Sequence, residues 1–189
     1  HKGYDVVHNL ALDARLRQLP IVFTIVGHSA EPRAMEAAGV RETGLYGSDA
    51  AALAEIARLD PDLVLLPSIW PETYCYTLSL ALAAGVPPVV FDLGAQAERL
   101  RASGAGHRLD PALADDPQRL NAALLALPID ALWAAREPFR PTVYPRILED
   151  YYGLDAAALS NVSPEAGRAG AAPVDHRDGL RSAPSPQMS

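Results

Sequence analysis

The stretch Leu63-Val-Leu-Leu-Pro-Ser-Ile-Trp-Pro-Glu-Thr-Tyr-Cys-Tyr-Thr-Leu-Ser-Leu-Ala-Leu-Ala-Ala-Gly-Val-Pro-Pro-Val-Val-Phe91 decides the fold. It opens on a short apolar run, Leu63 to Leu66, that stops at Pro67-Ser68. It continues with apolar residues at helical spacing between Tyr74 and Ala84, and closes on a second apolar run, Pro88 to Phe91. Strand, helix, strand is the unit that builds a parallel sheet, because parallel neighbours need a crossover between them. Runs that are apolar at every position suit strands covered on both faces.

The same alternation extends outward in both directions. Ile21 to Val26 ends at Gly27, and Val40 to Tyr46 is a weaker, half-polar run. Helical spacing occupies Tyr4 to Gln18, Glu31 to Ala38, Ser48 to Leu59, Ala95 to Ser103 and Asp116 to Ala126. Ser48 is placed to cap one of these helices, and Asp115-Asp116 to favour the dipole end of another. The expected fold class is α/β, a doubly wound, Rossmann-like parallel sheet. The expected domain covers residues 1–152, including an aromatic-rich helix from Phe139 to Tyr152. The segment 153–189 reads as a polar, mostly disordered tail, since its small and polar residues bury too little surface to offset ordering entropy.

Composition excludes several classes of function. In 189 residues, 49% are hydrophobic and 21% charged, the balance of a globular chain. Sixteen basic against twenty-three acidic residues give a net charge of -7, which disfavours nucleic acid as a partner. Cys75 stands alone, so neither a disulfide framework nor a thiol zinc cluster is expected, and a cytoplasmic setting fits. No apolar run reaches the length of about 18 residues that a membrane span needs. His8, His28 and His107 are not spaced as a metal set, and no metal or cofactor is expected. Gly104-Ala-Gly106 lacks a third glycine and follows a helix, which argues against a nicotinamide-dependent dehydrogenase.

In open parallel sheets, ligands bind beyond the carboxyl ends of strands, where helix N-termini present free N–H groups. Those ends hold Gly27-His28, Tyr46-Gly47, Pro67 to Tyr76 and Asp92-Leu-Gly94. The third is the richest: Ser68, Trp70, Glu72, Tyr74, Tyr76 and Thr77 bring hydroxyls, a carboxylate and aromatic faces to one strand-to-helix junction. A sugar phosphate needs that mixture. The simpler alternative is a helix start, with Pro71 and Glu72 in a first turn and the aromatics packed nearby.

Lys2-Gly-Tyr-Asp5, Thr43-Gly-Leu-Tyr46, Pro67-Ser-Ile-Trp-Pro-Glu-Thr-Tyr74, Tyr76-Thr-Leu78 and Asp92-Leu-Gly-Ala-Gln-Ala-Glu98, in that order, resemble the C-terminal domain of family 4 retaining glycosyltransferases, which have a GT-B architecture. The resemblance covers Lys2 to His107, with weaker likeness to Tyr152. It implies a hexosyltransferase that uses a nucleotide diphosphate sugar without a metal. The acceptor-binding domain would precede this one, making the chain a truncated part that lacks the first strand of its sheet and is inactive alone. Any peripheral membrane contact would come through that other domain.

By the same resemblance, Lys2 would pair with the donor diphosphate and Glu72 would contact the sugar near the reacting carbon. Tyr76, Thr77 and Leu78 would approach the phosphates through backbone N–H groups, and Gly27, Tyr46, Ser68, Tyr74, Asp92 and Gly94 would line the donor. The sequence departs from the family at two places. The arginine that usually precedes the lysine would lie before His1, and a second glutamate would fall at position 80, which is Leu80. A degenerate domain, which keeps the fold and has lost turnover, is the alternative that Leu80 favours.

Overall fold

The computed structural model describes residues 2–136; the expected helix from Phe139 to Tyr152 and the tail 153–189 lie outside the described residues. The architecture is mixed α/β with two parallel sheets. In chain order the elements are α1 (Tyr4–Leu16), β1 (Thr24–Ile25), α2 (Pro32–Ala38), β2 (Arg41–Glu42), α3 (Asp49–Leu59), β3 (Val64–Leu66), α4 (Tyr76–Ala84), β4 (Pro88–Phe91), α5 (Gly94–Ser103), β5 (His107–Leu109), α6 (Pro117–Leu125) and α7 (Ile129–Ala134), with a single 3-10 turn at Pro111–Leu113 before α6.

Where one doubly wound sheet was expected, the strands form two groups: β1 pairs with β2, and β3, β4 and β5 pair in that order. Every pair is parallel. The register sets Thr24 beside Arg41, Val64 beside Pro88 and Val89 beside His107. β4 matches its apolar run residue for residue. β1 and β2 are shorter than their runs, although Arg41 N–H donates to the Phe23 carbonyl and Thr43 N–H to the Ile25 carbonyl, so pairing continues past the strand ends.

Helix boundaries follow local chemistry. Ser48 accepts from the Ala51 N–H at 3.2 Å and Asp116 from the Arg119 N–H at 3.0 Å, each satisfying a donor that a helix start leaves open. Helix α4 begins at Tyr76, two residues later than its pattern suggests, because the chain from Pro71 stays outside the helix as far as Cys75, whose backbone is extended. β5 and α7 were not anticipated. β5 has only one buried residue, Leu109, and a short edge strand carrying His107 and Arg108 leaves little periodic signal.

The main core joins Val6 and Leu10 of α1 to Val89 and Phe91 of β4, Leu109 of β5 and Leu120 and Leu124 of α6. A second cluster gathers Cys75, Leu78, Val90, Ala97 and Leu100, and a third Ala11, Met35, Ala38 and Val40. Helices α1 and α6 are also tied by polar groups. Fully buried Asn121 donates to the Leu10 carbonyl at 3.0 Å and to Asp13 Oδ2 at 2.8 Å, while Arg17 holds the same carboxylate at 2.7 Å. The Arg17 and Asn121 hydrogen bonds hold the Asp13 carboxyl below its ordinary range against the opposing effect of burial.

Replacing Asn121 by Ala removes the amide donor that the Leu10 carbonyl and Asp13 Oδ2 share inside the α1–α6 interface, leaving Arg17 as the donor to Asp13. Urea unfolding of Asn121→Ala should therefore show a loss of about 1–3 kcal/mol; a change below about 0.5 kcal/mol would mean the amide contributes nothing net.

Candidate functional site

The site begins with two close backbone approaches. Gly3, the residue before α1, has φ 84°, and a Cβ there would lie 2.1 Å from the Pro67 carbonyl oxygen. Gly94, at the start of α5, has φ 65°, and a Cβ there would lie 2.8 Å from the Glu72 nitrogen and from Pro71 Cα. No side chain fits either position, and positive φ adds strain for any residue but glycine. The Ala95 N–H donates to the Glu72 carbonyl at 2.9 Å, fixing the second approach. The starts of α1 and α5 thus both press on the chain that leaves β3.

That arrangement brings Lys2 and Glu72, seventy positions apart in sequence, to 2.7 Å between Nζ and Oε1. The Glu72 side chain is 11% exposed and that of Lys2 81%. Burial works against an ionised Glu72, but hydrogen bonds from Lys2 and Ser68, the Lys2 charge and the Cys75 thiol outweigh it and hold the carboxyl below its ordinary 4.5. Ser68 is itself buried, with its hydroxyl 3.3 Å from the Trp70 carbonyl.

Around the start of α4 the sequence candidates fall into two groups. Tyr76 donates its hydroxyl to Asp49 Oδ2 of α3, a bond that raises the phenol above its usual range, and its electrostatic neighbours include Tyr46 and Tyr74. The Tyr46 ring lies beside Gly27, whose N–H donates to the Thr43 hydroxyl at 2.9 Å. Tyr74 meets the Ser79 hydroxyl at 3.2 Å, and Thr77 Oγ1 lies 3.3 Å from Cys75 Sγ. Cys75, the residue before α4, makes no side-chain capping bond, so the first turn of that helix lacks a side-chain acceptor from its cap. Leu78 is fully buried in the second core cluster, which leaves only its backbone to meet a ligand.

Asp92 is drawn elsewhere: its carboxylate lies 2.6 Å from Arg101 of α5 and 3.6 Å from Arg108 of β5. A residue the sequence reading did not single out, Arg99, proves central to this end of the molecule. Its guanidinium donates to the Cys75 carbonyl and to the Ser79 hydroxyl, both at 3.0 Å, and lies 5.2 Å from the centre of the Tyr74 ring. It fastens α5 to the entry of α4. The one available signal was its place next to Glu98, directly after the quoted Asp92-to-Glu98 segment.

Among the described residues no three His, Cys, Asp or Glu side chains gather as metal ligands, and no helix is long and apolar enough to cross a membrane. One open cavity, lined by residues that include Ala14, Arg15, Gln18 and Phe23, sits at the far end of α1, roughly 18 Å along the helix from Gly3. It holds none of the candidate residues. Family models, curated proteins and solved structures give no match to the chain.

The sign of the Glu72 shift gives a direct check. A depressed carboxyl stabilises the folded chain above its unfolded value and loses that contribution as pH falls through the folded value. The Glu72 carboxyl signal should therefore titrate below 4.5, and Lys2→Met should move the midpoint upward, since burial would then be opposed only by Ser68 and Cys75. An unmoved midpoint would show that the ion pair is absent in solution.

Proposed function

We propose that this chain is the donor-binding part of a retaining glycosyltransferase, a doubly wound domain that takes up a nucleotide diphosphate sugar and transfers its hexose to an acceptor hydroxyl. The observation that carries the reading is the meeting of Lys2 and Glu72 beyond the carboxyl end of β3, beside the start of α4. A cation, a carboxylate and a helix start supply what a sugar diphosphate requires: charge for the phosphates, an acceptor for sugar hydroxyls and N–H groups for phosphate oxygens.

Magnitudes favour a mobile role for Lys2. An ion pair with one partner this exposed contributes about 0–1 kcal/mol, so the ammonium can leave Glu72 for a diphosphate at little cost. As the sugar–phosphate bond breaks, negative charge grows on the departing diphosphate. Lys2 and the N–H groups of Tyr76 and Thr77 would stabilise that charge, and Glu72, released from Lys2, would hold the sugar. Acceptor recognition would fall to a separate domain.

A second reading, a domain that binds the donor and has lost turnover, draws on Leu80. This side chain is 8% exposed and buried in α4, so it offers no acceptor for ribose hydroxyls. Ribose would then rely on other groups or bind less tightly.

Calorimetric titration with UDP-glucose, GDP-mannose and the corresponding nucleoside diphosphates tests the assignment. Lys2→Ala should weaken diphosphate and sugar donor alike by tenfold or more, about 1.4 kcal/mol. Glu72→Gln should weaken the sugar donor and leave the nucleoside diphosphate unchanged. Equal affinities in all three proteins, or no binding by the parent chain, would overturn the reading.

A further inference from the structure

Among the described residues Arg99 is the one lysine or arginine that is not exposed. Its guanidinium nevertheless meets only neutral groups: it donates to the Cys75 carbonyl and the Ser79 hydroxyl and lies over the Tyr74 ring. Arg17, Arg58, Arg101 and Arg108 each face a carboxylate, whereas none within the described residues pairs with Arg99. A charge drawn out of water is normally paired, because neutral dipoles offset only part of the lost hydration. The two hydrogen bonds engage Nη1 and Nη2 once each and leave the rest of the guanidinium fork open. Arg99 thus keeps both charge and donors for an anion.

The surroundings of Arg99 tie it to Lys2. Cys75 touches both: its thiol reaches the Glu72 carboxylate that holds Lys2, and its carbonyl holds Arg99. Lys2, just ahead of α1, and Arg99, on α5, therefore converge on the residue before α4, whose first turn has no side-chain acceptor from its cap. We propose that Arg99 is a second phosphate-binding cation of this site, covered by Tyr74 until an anionic ligand arrives. The proposal rests on the donor reading above and adds to it a residue and a charge requirement.

Charge counting selects a diphosphate. Each phosphate of a diphosphate linkage carries a negative charge; Lys2 matches one as a point charge, and Arg99 matches the other through the planar fork that suits phosphate oxygens. A sugar joined through a single phosphate would leave one of the two cations unmatched. The cover is easily moved. Tyr74 is 61% exposed, and a cation–π contact at an exposed ring is weak, so the ring swings off Arg99 at little cost. The bonds to Cys75 and Ser79 keep the guanidinium beside the start of α4 while the open part of its fork takes the phosphate.

Calorimetric titration of the full chain with UDP, GDP and the corresponding monophosphates tests this. The parent should bind a diphosphate at least about tenfold more tightly than its monophosphate. Arg99→Gln should weaken the diphosphate by about tenfold and remove most of that preference, while Tyr74→Leu, which uncovers Arg99, should keep or raise diphosphate affinity. A merely structural Arg99 would instead loosen α4 and weaken mono- and diphosphate alike. Should Arg99→Gln fail to fold, the Arg99 Nε–H signal of the parent decides: it should shift on saturation with the diphosphate and stay in place with the monophosphate. An unmoved signal, an Arg99→Gln variant that binds the diphosphate as the parent does, or equal weakening of both ligands overturns the proposal and leaves the donor reading intact. Absence of diphosphate binding by the parent overturns both.

Discussion

The space that a side chain would need at residues 3 and 94 is already filled by the backbone of Pro67, Pro71 and Glu72. Two helices far apart in sequence, α1 and α5, therefore begin in contact with a single stretch of chain, and that stretch ends in the most buried carboxylate of the candidate site. The alignment of Lys2 with Glu72, the extended path to Cys75 and the late start of α4 all follow from this constraint. Hydrophobic packing supplies the bulk of the stability through the cluster of α1, β4 and α6. The glycine contacts decide where the polar groups of the strand ends meet.

Arg99 completes the same design from the other side. It links the Cys75 carbonyl, the Ser79 hydroxyl and the Tyr74 ring, so the entry to α4 is held by α5 through a side chain just as Glu72 is held by α5 through its backbone. Asp92 is kept out of this arrangement by Arg101 and Arg108. Lys2, largely exposed, lies at the rim of this region.

Continuous apolar runs and helical spacing made the α/β class and most helices readable from sequence, because burial on one or both faces leaves a periodic trace. Pro88 to Phe91 was read residue for residue. β5 left no such trace, since an edge strand with one buried residue has no period, and the start of α4 falls two residues after the expected Tyr74 because Cys75 is extended, which helical spacing does not reveal. The runs themselves do not show the division into two sheets, because a strand's own residues do not say which strand lies beside it. Of the site, Lys2, Ser68, Glu72 and the tyrosines were legible as residue types suited to a sugar phosphate. Their pairings were not: the Lys2–Glu72 contact and the role of Arg99 arise from tertiary approach between distant segments.

The central claim is that Lys2, the Glu72 region and the first turn of α4 form one binding surface for a sugar diphosphate. Backbone amide NMR during titration with a nucleotide sugar addresses it most directly. The account predicts shifts that saturate together at Gly3, Glu72, Tyr76 and Thr77, with little change at Arg101 and Arg108. Shifts confined to Arg101 and Arg108, or none at Tyr76 and Thr77 at saturating donor, would contradict it.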